Sequence, residues 1–103
     1  MRYIEYKYRN PELTRLLIGR KGGKTTIRII DMILVHPYNM NQLSEILKLD
    51  YNTVKYHMNL ILKLELVESD GRAYGSLFFP SKKLINNLKE YEQIKKYLNN
   101  SKK

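Results

Sequence analysis

Gly19-Arg20-Lys21-Gly22-Gly23-Lys24-Thr25 is the first stretch whose residue types could do chemistry. Glycines leave backbone N–H groups open to a phosphate, and a Lys-Thr pair could neutralise it and hold magnesium. A nucleotide-binding loop of this kind places four residues between its first glycine and the Gly-Lys-Thr, whereas Gly19 leaves three, and the segment before it reads as helix rather than strand. Nucleotide hydrolysis is therefore not expected. His36 and His57 are the two histidines, and the chain has no cysteine. That inventory supports no disulfide framework, no thiolate metal site and no cysteine nucleophile, and makes metal binding a poor reading. Asp31, Glu45 and Asp50 each stand without a second carboxylate at a spacing suited to general acid–base work. The chemistry left is recognition: no enzymatic activity, no cofactor and no metal are expected.

The residues best suited to recognition fall between positions 51 and 65. Val54, Met58 and Ile61 recur on successive helical turns and face a core, which leaves Asn52, Thr53, Lys55, Tyr56 and Asn59 on the outer surface. Side chains of these types hydrogen-bond base edges or phosphates, and Tyr56 is an exposed aromatic with no core to serve. Arg20, Lys21, Lys24 and Arg28 lie near the start of an earlier helix, where backbone amides also favour anions. Arg72, beside Gly71, could reach a minor groove or a phosphate, although Glu68 and Asp70 nearby repel one. His57 is read as a residue that packs or hydrogen-bonds locally.

The elements that would carry these residues follow from periodicity and punctuation. Asn10-Pro11-Glu12 to Gly19 reads as a short helix with Leu13, Leu16 and Leu17 inside. Thr25 or Thr26 caps a second helix through Ile27, Ile30, Ile33 and Leu34, stopped by Pro37. Asn39 and Gln42 form a capping box for a third helix ending near Lys48, and a turn at Leu49-Asp50 leads into the fourth, about Tyr51 to Glu65, where Leu60 and Leu62 exceed what the buried stripe needs. Val67–Ser69 and Tyr74–Phe79 flank Asp70-Gly71, a hairpin signal. After Pro80 and a capping Ser81, Leu84, Leu88, Tyr91, Ile94 and Leu98 describe one long final helix. Tyr3, Tyr6 and Tyr8 would pack an extended N-terminal arm.

Composition agrees with a small globular protein. Hydrophobic residues make up 43% and charged residues 28% of 103, and no apolar run is long enough to span a bilayer. The N-terminus lacks a secretory signal, so an intracellular, cytoplasmic protein is expected. The net charge of +9 points to a polyanionic partner, but it is uneven: residues 1–28 carry +6, residues 29–80 carry −2 and residues 81–103 carry +5.

Helix, short helix, tight turn, longer helix and hairpin is the order of a winged helix-turn-helix, mainly α with a β-hairpin wing. Asn41-Gln42-Leu43-Ser44-Glu45-Ile46-Leu47, Thr53-Val54-Lys55-Tyr56-His57-Met58 and Leu66-Val67, over about Lys24 to Phe79, resemble the ArsR-like winged-helix regulators, small archaeal members in particular. The resemblance implies a transcription regulator that binds double-stranded DNA, with major-groove positions at Thr53, Lys55, Tyr56 and Asn59. It also implies dimerisation through terminal helices, and the apolar stripe Leu84, Leu88, Tyr91, Ile94 and Leu98 is read as a homodimer face. Many relatives sense metals through cysteines, which this chain lacks. The expected organisation is one winged-helix domain over 1–103: an arm and short helix to residue 23, the helix-turn-helix and wing over 24–80, and a C-terminal dimerisation helix over 81–99. Two other readings compete: a winged-helix protein–protein interaction module using Leu60 and Leu62, favoured by the −2 middle segment, and a non-specific DNA architectural protein.

Overall fold

Residues 11–18, 21–72 and 75–100 are described by the computed structural model. In chain order they form α1 (Pro11–Leu17), α2 (Gly23–Val35), α3 (Met40–Leu47), α4 (Tyr51–Lys63), β1 (Val67–Ser69), β2 (Phe78–Pro80), α5 (Lys82–Asn86) and α6 (Leu88–Asn100). The result is a mainly α domain in which helices lead into a two-stranded antiparallel hairpin and then a C-terminal helical segment, an order consistent with winged-helix topology. No helix among the described residues is long and apolar enough to cross a membrane.

The core gathers around α2. Ile29, Ile30 and Ile33 of α2 meet Leu43 of α3, Val54, Met58 and Ile61 of α4, and Leu84, Tyr91 and Ile94 from the C-terminal helices, all within 1% of complete burial. Each such side chain contributes roughly 1.5–3 kcal/mol through removal of apolar surface from water. Leu60 and Leu62, expected to be surplus, are half-buried and pack against this same core.

Neither threonine caps α2. The helix begins upstream of both, with Gly22 at the N-cap in the left-handed region (φ 89°) and no side-chain cap. The reason is the crossing of α1: a Cβ on Gly23 would lie 1.8 Å from the Leu17 carbonyl oxygen, so the two helices approach too closely for any side chain. Thr26 is instead drawn inside, completely buried.

The third and fourth helices begin where the sequence places them. Asn39 Oδ1 accepts from Gln42 N at 2.8 Å while Gln42 Oε1 accepts from Asn39 N at 2.9 Å, a complete capping box. Lys48 ends α3 in the left-handed conformation (φ 58°), Leu49 N donates to the Ser44 carbonyl at 3.0 Å, and the Ser44 hydroxyl donates to the Leu49 carbonyl. The Asp50 carboxylate then caps α4 by accepting from Asn52 N at 3.0 Å.

The hairpin pairs Val67 with Pro80, Glu68 with Phe79 and Ser69 with Phe78. Its second strand thus starts at Phe78 rather than Tyr74, which lies outside the described residues, and Asp70-Gly71 does not close a two-residue turn. Asp70 instead organises a longer loop: its N–H donates to the Leu77 carbonyl at 3.0 Å, and its carboxylate accepts from Arg72 N and Leu77 N, each at 3.2 Å. Phe78 N also donates to the Tyr38 carbonyl at 2.9 Å, tying β2 to the segment before α3.

The final helix is not continuous. The break falls at Asn87 (φ −110°, ψ 17°), where both the side-chain Nδ2, at 2.8 Å, and the backbone N–H, at 3.2 Å, donate to the Lys83 carbonyl. The residues read as a homodimer face are mostly turned inward. Leu84, Tyr91 and Ile94 are fully buried within the single chain, and Leu88 and Leu98 are half-buried, so most of this stripe completes the chain's own core. Polar contacts fix that packing. The Tyr91 hydroxyl donates to Asp31 Oδ1 at 2.6 Å, with the Ile27 carbonyl 3.2 Å away, and Lys95 Nζ donates to Asp31 Oδ2 at 3.0 Å.

Candidate nucleic-acid interface

The inner face of α4 comprises Val54, His57, Met58 and Ile61, all buried, which forces its remaining side chains outward by the 3.6-residue period. Asn52, Lys55, Tyr56 and Asn59 are exposed, and Thr53 is half-buried at their edge. Five residues singled out from the sequence therefore share the outward side of one helix. Tyr56 is 59% exposed and meets the ring edge of His57, centroids 5.2 Å apart at 81°.

What holds this face in place is a set of contacts from α2. Thr26 Oγ1 lies 2.8 Å from His57 Nδ1 in a buried hydrogen bond, so the histidine serves local packing. Arg28 reaches across to donate to the Leu47 carbonyl at 3.0 Å, capping the end of α3 next to the turn. That bond gives Arg28, expected to meet phosphate, an internal partner for at least one of its donors. At the far end of α4, Lys83 donates to the Leu64 carbonyl at 2.9 Å, while Glu65 turns the chain with φ 61°.

The cationic residues are less concentrated than the polar ones. Lys21 and Lys24 are exposed at the start of α2, and Arg20 lies outside the described residues. Arg72 is exposed at the hairpin loop, its Nε 3.4 Å from Asp70 Oδ2. An ion pair this exposed leaves the guanidinium accessible and contributes little stability. Between the hairpin loop and the starts of α3 and α4 runs a groove of about 390 Å³, lined in part by Asn39, Asn41, Tyr51, Ser69 and Ser76. The loop and the N-terminal end of α4 thus border one side of the molecule.

Sequence reasoning left Asp31 isolated, yet it is the acceptor that joins α2 to α6. Burial, and after it the hydrogen bond to the Asp31 carboxylate, raises the Tyr91 phenol well above its ordinary pKa of 10.0. The hydrogen bond to Asp31 also raises Lys95 above 10.5, against an opposing effect of burial. A buried tyrosine needs a partner for its hydroxyl, and that requirement was the available signal. Asp50, also read as isolated, is the α4 cap. Among the described residues no group of three or more His, Cys, Asp or Glu is placed to hold a metal ion.

No protein-family model matches the chain, and no curated protein is found to be similar to it.

Proposed function

We propose that this chain is a winged helix-turn-helix protein that binds specific double-stranded DNA sequences as a homodimeric transcription regulator, with α4 in the major groove. The observation that carries the reading is the outer face of α4, where Asn52, Lys55, Tyr56 and Asn59 stand exposed on a helix whose opposite face is anchored in the core. Hydrogen-bonding side chains on a rigid helix are what base readout needs, because phosphate contacts alone carry no sequence information. Lys21 and Lys24 would meet the backbone, and Arg72 would meet it from the hairpin. With Leu84, Tyr91 and Ile94 inside the core, a two-fold partner is left the half-buried Leu88 and Leu98 on the last helix. Leu60 and Leu62, which the interaction-module reading would use, pack against the core, while the −2 middle segment that favours that reading stands.

The test is selection of bound sequences from random duplex DNA, followed by titration of the enriched site at several salt concentrations. A near-palindrome is expected, marking a two-fold dimer with half-sites about one helical turn apart. Tyr56→Ala should weaken binding to that site by about 1–3 kcal/mol while leaving non-specific binding nearly unchanged. Lys24→Ala should weaken both and reduce the salt slope by about 0.9. Equal losses on both DNAs from both variants would remove α4 as the base reader. Binding with no enriched sequence would instead identify an architectural protein.

A further inference from the structure

The groove beside α4 collects hydrogen-bond donors that the base-reading face does not use. It runs between the hairpin loop and the starts of α3 and α4, and its lining includes Asn39, Asn41, Tyr51 and Ser69, with Leu62 and Phe78 as apolar wall. Asn39 spends its Oδ1 on the Gln42 N–H, which leaves Nδ2, and that amide lies 3.7 Å from where a Cβ on Gly75 would stand, on the hairpin side. Ser69 Oγ accepts from Gly71 N at 3.1 Å, so its own proton remains to be donated. The Asn41 amide and the Tyr51 hydroxyl have no partner among the described residues, and both residues are exposed, Tyr51 to 42%. Ser76 also lines the groove, but its hydroxyl is spent on the Arg72 carbonyl. Free donors on Asn39, Asn41, Tyr51 and Ser69 thus border one groove whose lining residues include none that is charged. The carboxylates next to it along the chain are engaged: Asp50 accepts from Asn52 N at 3.0 Å, and Asp70 accepts from Arg72 N and Leu77 N and pairs with Arg72 Nε.

We propose that this groove seats the sugar–phosphate strand bordering the major groove that α4 enters, and that it grips the strand through neutral donors. The inference rests on the α4 reading and deepens it. A major groove is bounded on each side by a phosphate strand, so a helix lying in it brings whatever stands beside that helix against one of those strands. Here the neighbour is the hairpin, and the space between the two is this groove. Asn, Ser and Tyr side chains are regular donors to phosphate oxygens, and Leu62 and Phe78 offer apolar surface to the deoxyribose. A free phosphate or a nucleotide fits less well, because its concentrated charge calls for lysine or arginine in the lining. A diester strand carries one charge per phosphate, and cations outside the groove, Lys21, Lys24 and Arg72, supply its attraction to the protein. Neutral donors also account for how residues 29–80, which hold both α4 and the hairpin, can face DNA with a net charge of −2. Contacts of this kind set the register and orientation of α4 on the duplex and carry no sequence information.

The experiment titrates the full chain, an Asn41→Ala/Tyr51→Phe variant, Tyr56→Ala and Lys24→Ala against the enriched site and a random-sequence duplex at several salt concentrations, with circular dichroism confirming that each is folded. Loss of the two neutral donors should weaken binding to both duplexes by about tenfold and leave the salt slope unchanged, since no cation is removed. Lys24→Ala should lower the slope, and Tyr56→Ala should act on the enriched site alone. A loss on both duplexes from the double variant, with Tyr56→Ala silent, would keep the strand contact and remove α4 as the base reader. Unchanged affinity of the double variant for both duplexes would overturn the strand contact itself. So would a loss confined to the enriched site, which would make Asn41 and Tyr51 base readers. Binding of an oligothymidine strand more tightly than either duplex, and its loss in the double variant, would also overturn it by placing an unpaired base against Tyr51.

Discussion

Two residues show how much of the architecture rests on single atoms. Gly23 sits where α1 and α2 cross, and a methyl group there would collide with the Leu17 carbonyl, which is backbone and cannot rotate aside. Gly23→Ala should therefore lower stability by about 3 kcal/mol or more in denaturant unfolding, against the roughly 0.5–1 kcal/mol that a helix ordinarily gains from alanine over glycine. Tyr91 is the second. Its phenol stays protonated in the folded chain above its ordinary pKa of 10.0, whereas the unfolded chain releases that proton near 10.0. The unfolded state then binds fewer protons, so stability should fall as pH rises past about 10, and the raised pKa of Lys95 acts with the same sign. Tyr91→Phe should cost about 1–2 kcal/mol at neutral pH yet flatten the alkaline decline, as measured by thermal unfolding across pH. Neither role was legible in the sequence. Gly23 looked like part of a phosphate loop because its constraint comes from the angle at which α1 crosses α2, and Tyr91 looked like a dimer contact because its partner Asp31 lies 60 residues earlier.

At the scale of elements, local signals were the readable ones. The Asn39–Gln42 capping box spans four residues, and both of its hydrogen bonds form as the pattern implies. Asn39→Ala should destabilise the domain by about 1 kcal/mol while Asn39→Asp should restore most of the loss, compared by chemical denaturation. The apolar stripe of α4 was equally plain, since periodicity alone fixes which side is buried. The hairpin and the last helix were not. Asp-Gly is a strong turn signal, but here the Asp70 carboxylate bonds the loop on both sides and displaces the strand to Phe78. The break at Asn87, between α5 and α6, is not announced by the apolar periodicity around it.

Across the whole molecule, the order of helices and hairpin could be read from the sequence, and so could the residues gathered on the outer side of α4. The division of labour among charges could not. A lysine engaged with Asp31 and a lysine facing solvent are alike in a sequence, and only the folded chain separates Lys95 from Lys89 and Lys96. The separation of inner and outer residues on α4 has a consequence for how such a protein can change over generations. Val54, Met58 and Ile61 bear the folding, while Asn52, Lys55 and Asn59 stand outside the core. Substitutions at exposed positions of this kind usually alter stability by no more than about 0.5 kcal/mol. If the outer face reads DNA as proposed, selection is free to rewrite what it recognises through a succession of single changes, each leaving a folded protein, so that one ancestral scaffold could diverge into many specificities.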